Sequence, residues 1–85
     1  MTPEALIRYA RANPGKTVEA LVRGSLGQTM RVRLRFEEGG VRFYVPAWKV
    51  FLEPKSEPLA KEVMAAWRVL EARLVEVEDE PAGTP

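Results

Sequence analysis

The stretch from Thr29 to Val45 limits what this chain can fold into more than any other. Met30, Val32, Leu34 and Phe36 alternate with Arg31, Arg33, Arg35 and Glu37, and after Gly39-Gly40 the pattern resumes as Val41, Phe43 and Val45 against Arg42 and Tyr44. A period of two is the period of a strand, so the segment reads as an antiparallel hairpin. The double glycine supplies the positive φ angles of a tight turn. A two-residue turn at Gly39-Gly40 sets Phe36 opposite Phe43, Leu34 opposite Val45, Glu37 opposite Arg42 and Arg35 opposite Tyr44. The register that faces Arg35 with Arg42 is disfavoured as a like-charge pair across the ladder. Met30, Val32, Leu34, Phe36, Val41, Phe43 and Val45 then form a face that must be buried. The opposite face carries Arg31, Arg33, Arg35, Arg42 and Tyr44.

Around the hairpin the chain supplies further elements. Thr2-Pro3-Glu4 starts a helix, with a capping hydroxyl, a proline suited to the first helical position and an acid in the positive first turn. Leu6, Ile7 and Ala10 give that helix one apolar stripe, and Asn13-Pro14-Gly15 ends it. Thr17 to Arg23 is read as a strand with Val18, Ala20 and Val22 on one face, because a two-stranded hairpin needs a third strand to be stable. A helix capped by Thr17 would instead group Val18, Leu21 and Val22. After the hairpin, Pro46-Ala47-Trp48-Lys49 reads as a single turn and Val50-Phe51-Leu52 as a short strand. A meander interrupted by one turn before its last short strand, across residues 17–53, resembles SH3-like small barrels in outline. No family motif accompanies that likeness, and it implies no function.

Ser56-Glu57-Pro58 opens a second helix with a cap residue, an acid and an early proline. Val63, Trp67, Leu70, Leu74 and Val77 recur at helical spacings, preceded by Ala60 and widened by Met64. The end, Leu74-Val75-Glu76-Val77-Glu78, alternates and reads alternatively as a short acidic strand. The expected fold class is therefore α+β: an N-terminal helix, a small antiparallel meander of three to four strands with a closed SH3-like barrel as the alternative, and a C-terminal amphipathic helix. Residues 1–78 form one small domain, and residues 79–85 a flexible acidic tail.

Composition narrows function. The chain has 85 residues and neither cysteine nor histidine. Thiolate chemistry, disulfides, cysteine metal sites and the commonest general base are thereby excluded. Ala10 to Thr17 nearly spells the phosphate-binding loop GxxxxGK[ST]. Ala10 stands in place of the first glycine, a helix precedes where a strand is required, and the chain is too short for a nucleotide-hydrolase fold. Neither serine has an activating partner, so no enzyme, cofactor or metal is expected. No basic segment precedes an apolar run and no stretch approaches membrane-spanning length, so the chain reads as soluble, unprocessed and cytoplasmic.

The net charge of +1 conceals a division: residues 1–50 carry nine cations against four carboxylates, and residues 51–85 carry four against eight. Two functions follow as expectations. The first is protein–protein or self-association through the helix seam of Val63, Met64, Trp67, Leu70 and Leu74. The alternative is single-stranded nucleic-acid binding by Arg31, Arg33, Arg35, Arg42 and Tyr44. Guanidiniums at alternate strand positions stand about 7 Å apart, commensurate with successive phosphates of a single strand, and Tyr44 beside them offers a stacking surface. The competing bland reading has Glu37, or acids of the second helix, consume the charge.

Overall fold

The structure, a computed structural model, describes residues 1–76. The order of elements is helix α1 (Pro3–Ala12), strands β1 (Thr17–Arg23), β2 (Thr29–Glu37) and β3 (Gly40–Val45), a 3-10 turn at Pro46–Trp48, strand β4 (Val50–Leu52), a 3-10 turn at Pro54–Ser56, helix α2 (Glu57–Met64) and strand β5 (Arg68–Val75). Thr2 caps α1 as its position suggests, its Oγ1 accepting the Ala5 N–H at 3.1 Å. Asn13 closes the helix, and the Gly15 N–H donates to the Phe36 carbonyl at 3.2 Å, tying the first turn to the end of β2. The predicted strand over residues 17–23 and the turn-then-strand after the hairpin are both present.

The strands form one antiparallel sheet in the order β4-β3-β2-β1-β5. It is open, not a barrel, and has one strand more than the longest meander expected. The added strand comes from the segment read as the second half of a C-terminal helix. That helix stops at Met64, and Arg68 to Val75 pair instead with β1. Helical spacing and strand alternation overlap in this segment. Val69, Ala72 and Leu74 stand opposite Val22, Ala20 and Val18, on the core side. Arg68, Glu71 and Arg73 fall on the other side. The unpaired edge of β1 offers a full ladder of backbone hydrogen bonds, and tertiary context of this kind overrides helix propensity. One irregularity remains: β5 carries an extra residue, Leu70, between the partners of Leu21 and Val22.

Both helices pack on one face of the sheet. Leu6, Ile7 and Ala10 of α1 and Ala60 and Met64 of α2 are buried against Val18, Ala20, Val22, Val32, Leu34, Val41, Phe43 and Val45. Trp67, in the link between α2 and β5, closes one end of this core. Its ring lies 6.2 Å from Phe43 and 5.4 Å, edge-on, from Trp48.

The hairpin has the expected faces in a different register. Phe36 stands opposite Val41, Leu34 opposite Phe43, Arg33 opposite Tyr44, Arg35 opposite Arg42 and Glu37 opposite Gly40. The turn residues are therefore Glu38 and Gly39, one position earlier than the double glycine suggested. Because the register differs by two residues in pairing, every side chain keeps its side; a slip of one would have inverted the faces. Two local facts explain the choice. A Cβ on Gly40 would lie 2.6 Å from the Pro54 carbonyl oxygen, so Gly40 is needed in the ladder where the chain returns over it. The like-charge pair is tolerated because Glu37 reaches both partners, Arg35 at 3.6 Å and Arg42 at 2.7 Å.

Glu57 pins that return. Its carboxylate accepts the Val41 N–H at 2.9 Å and two bonds from Arg11 Nη2 at 2.6 and 2.5 Å, with Lys61 Nζ at 3.7 Å. Burial pushes the carboxyl upward, yet the Arg11 and Val41 hydrogen bonds and the charges of Arg11 and Lys61 outweigh it and hold the group below its ordinary 4.5. One side chain thus joins α1, α2 and the start of β3. The expected tail, residues 79–85, lies outside the described residues, as do Val77 of the expected seam and residue 78, where the domain was expected to end.

Candidate nucleic-acid interface

No helix covers the second face of the sheet among the described residues. Strand register decides what stands there. Arg31, Arg33 and Arg35 on β2 share a side with Thr17, Glu19, Leu21 and Arg23 on β1. Arg68, Glu71, Arg73 and Val75 on β5 continue it, as do Arg42 and Tyr44 on β3 and Phe51 on β4. The arginine side chains predicted from the hairpin are thus together, and Arg23, Arg68 and Arg73 join them. Arg23 and Arg68 face each other directly.

Two carboxylates organise the row. Glu19 accepts from Arg73 at 3.2 Å and Arg31 at 3.5 Å, and its other oxygen is 3.8 Å from Arg33 Nε. Glu37 holds Arg42 and Arg35 at the other end, and Glu53 lies 3.7 Å from Arg42. The Glu37–Arg42 contact expected of the bland reading is present. Its second part is altered: α2 ends at Met64 on the opposite face, and Glu71, expected on that helix, stands instead on β5 on the side of these arginines. Seven guanidiniums, those of Arg23, Arg31, Arg33, Arg35, Arg42, Arg68 and Arg73, share the face with Glu19, Glu37 and Glu71. Arg33 Nε is buried without a hydrogen-bond partner. Among the described residues the arginines of this face outnumber its acids.

At the β3–β4 end, the Tyr44 and Phe51 rings are 6.4 Å apart, and the Arg42 guanidinium lies 4.9 Å from the Phe51 ring centre. This orients Arg42 by cation–π contact as well as by its acids. At the other end, Gly15, Lys16, Thr17, Arg35, Leu74, Val75 and Glu76 line an open hollow of about 530 Å³. Lys16, Arg35 and Glu76 bring charges of both signs to its wall.

The expected interface residues do not form one seam. Met64 and Trp67 are buried in the core and Val63 packs against it, whereas Leu70 and Leu74 are exposed on β5. Sequence reasoning missed the role of Glu19, whose signal was its parity: in a strand from Thr17 to Arg23 it lies on the side opposite Val18, Ala20 and Val22. It also missed Arg73 and Phe51, which reach the face only through β5 and β4. Among the described residues no three carboxylates come together to hold a metal ion, and no helix is long and apolar enough to cross a membrane. Comparison with protein-family models, with curated proteins and with solved structures found no match to this chain.

Proposed function

We propose that this chain is a non-enzymatic binding module whose open sheet face takes single-stranded nucleic acid. The observation that carries the reading is the face itself, which no helix covers among the described residues; among them the arginines outnumber the acids, and the Tyr44–Phe51 pair stands at one end. Arginines at this spacing suit a phosphate backbone, to which a guanidinium can donate two parallel bonds. The aromatic pair offers a base a stacking surface with little sequence preference. The ion pairs to Glu19 and Glu37 support this division of labour, since they hold long side chains upright and lower the entropy lost when a phosphate replaces or joins the carboxylate.

The test is fluorescence anisotropy with short single-stranded RNA and DNA oligonucleotides over a range of salt. Wild type is expected to bind with an affinity that falls steeply with salt. The Arg31/Arg33/Arg35 triple alanine variant is expected to lose that affinity and most of the salt slope, with its fold intact. Equal affinity in the two proteins, or no binding by wild type at physiological salt, sinks the reading.

Self-association, the other reading that the sequence suggests, keeps a narrower support. Of Val63, Met64, Trp67, Leu70 and Leu74, only Leu70 and Leu74 are exposed, at 40% and 39%. Its place moves from a helix to an edge strand.

A further inference from the structure

We propose that two copies of this chain pair through the outer edges of their β5 strands, antiparallel and centred on Ala72, to make one continuous sheet. The two edges of the sheet differ. β4 is a three-residue strand that ends at Glu53-Pro54, a length and a residue that discourage further pairing. β5 is eight residues long, contains no proline, and presents its outer backbone groups unpaired among the described residues. Such an edge is a template for another strand.

The sequence of the edge is complementary to itself. Residues that face each other across an antiparallel ladder share a side of the sheet, so a two-fold pairing must be centred on a residue. Centring on Glu71 places Glu71 against Glu71, and centring on Arg73 places Arg73 against Arg73. Centring on Leu70 sets Val69 against Glu71, and centring on Leu74 sets Arg73 against Val75. The Ala72 centre alone matches every rung: Ala72 on Ala72, Glu71 on the second copy's Arg73 and Leu70 on its Leu74, each repeated by symmetry. An interface of this kind is isologous and closes on itself. Glu71 has no ion pair among the described residues, and Arg73 reaches Glu19 at 3.2 Å with two-thirds of its side chain exposed. Both charges are thus open to a second copy. The extra residue at Leu70 limits the ladder to Leu70–Leu74, because a bulge twists the strand away beyond it.

The pairing stands independently of nucleic acid. Its consequence for the open face is geometric: both arginine faces come to one side of the joined sheet, and both helix layers to the other.

The contact is short and belongs with small, transient interfaces, so sedimentation velocity is run on the full chain up to about 1 mM. Wild type is expected to show a monomer–dimer equilibrium. Glu71→Arg and Arg73→Glu each oppose like charges twice and are expected to weaken the dimer at least about tenfold. An equimolar mixture of the two variants restores both opposite-charge rungs and is expected to associate as wild type does, as is the doubly exchanged Glu71→Arg/Arg73→Glu chain. Circular dichroism checks that each variant is folded. If Arg73→Glu unfolds, because the new carboxylate faces Glu19, the doubly exchanged chain carries the same fault, and Glu71→Arg against wild type decides. A wild type that stays monomeric throughout, a dimer indifferent to Glu71→Arg, or a folded exchanged chain that fails to associate overturns the proposal.

Discussion

The two faces of this sheet are made by the same strands, one residue in two going to each side, and they are held by different physics. On the covered side Val18, Ala20, Val22, Val32, Leu34, Val41, Phe43 and Val45 are removed from water by α1, α2 and Trp67. Their contribution is area and close packing, which tolerates no gap. On the open side Glu19 and Glu37 gather the arginines by charge at 2.7–3.8 Å, with Arg31 and Arg73 largely exposed and Arg33, Arg35, Arg42 and both acids partly buried. The more exposed of these pairs, such as that of Arg73, contribute little to stability. The covered face determines that the protein folds; the open face determines what the folded sheet can meet. A small domain can therefore carry a dense row of like charges without losing its fold where acids such as Glu19 and Glu37 stand among them.

The comparison breaks if a core residue proves dispensable. Phe43 is fully buried and in contact with Trp67. Its replacement by alanine is expected to destabilise by about 3–5 kcal/mol, read as a fall in the thermal or denaturant midpoint. A change no larger than that of an open-face arginine would show that the two sides are not distinct.

The seam between the faces is sharpened by Glu57. Glu57→Gln keeps the shape but gives up the charge that Arg11 and the Val41 N–H bond, and is expected to cost about 1.5–3 kcal/mol at neutral pH. The carboxyl titrates lower in the folded protein than in the unfolded chain. Its contribution is therefore complete above the ordinary value of 4.5 and is lost as pH falls through the lower folded value. Midpoints of wild type and Glu57→Gln, measured from pH 7 downward, are expected to converge as pH falls from 4.5 through the lower folded value. A constant gap across that range would assign the effect to packing.

Tyr44→Ala addresses the open face with a smaller effect on the fold. If Tyr44 stacks on a base, oligonucleotide affinity drops by about 1–3 kcal/mol with the salt slope unaltered, while the thermal midpoint moves little. A midpoint that drops while affinity holds would place Tyr44 among the packing residues beside Phe51.

The finest distinction concerns Glu19. Glu19→Gln removes the acid shared by Arg31, Arg33 and Arg73. The expected loss of stability is below about 1 kcal/mol. Binding to single-stranded oligonucleotides is expected to strengthen, with a steeper salt dependence, because the arginines lose an internal competitor. Unchanged or weaker binding would make Glu19 a positioning group whose value exceeds the charge it consumes.

Much of this was legible in the chain. The faces of the hairpin, the capped first helix, the third strand at residues 17–23 and the break at Pro46 follow from periodicity and from the backbone preferences of threonine, proline and glycine. These are local properties, fixed by residues a few positions apart. The arginine row was legible for the same reason, since alternation alone sends Arg31, Arg33 and Arg35 to one side.

What only the tertiary structure decided depends on partners far away in the chain. The turn moved to Glu38-Gly39 because Pro54 and Glu57 pass over Gly40, which leaves no space for a Cβ there. Val69 to Val75 became a strand because β1 had an unsatisfied edge; the same residues, taken alone, fit a helix equally well. Glu19 and Arg73 came to one site because β5 lies beside β1, although 54 positions separate them. Side-chain alternation settles which side a residue faces, but strand pairing settles which residue it faces, and pairing is paid for by backbone hydrogen bonds and burial that no short window of sequence contains.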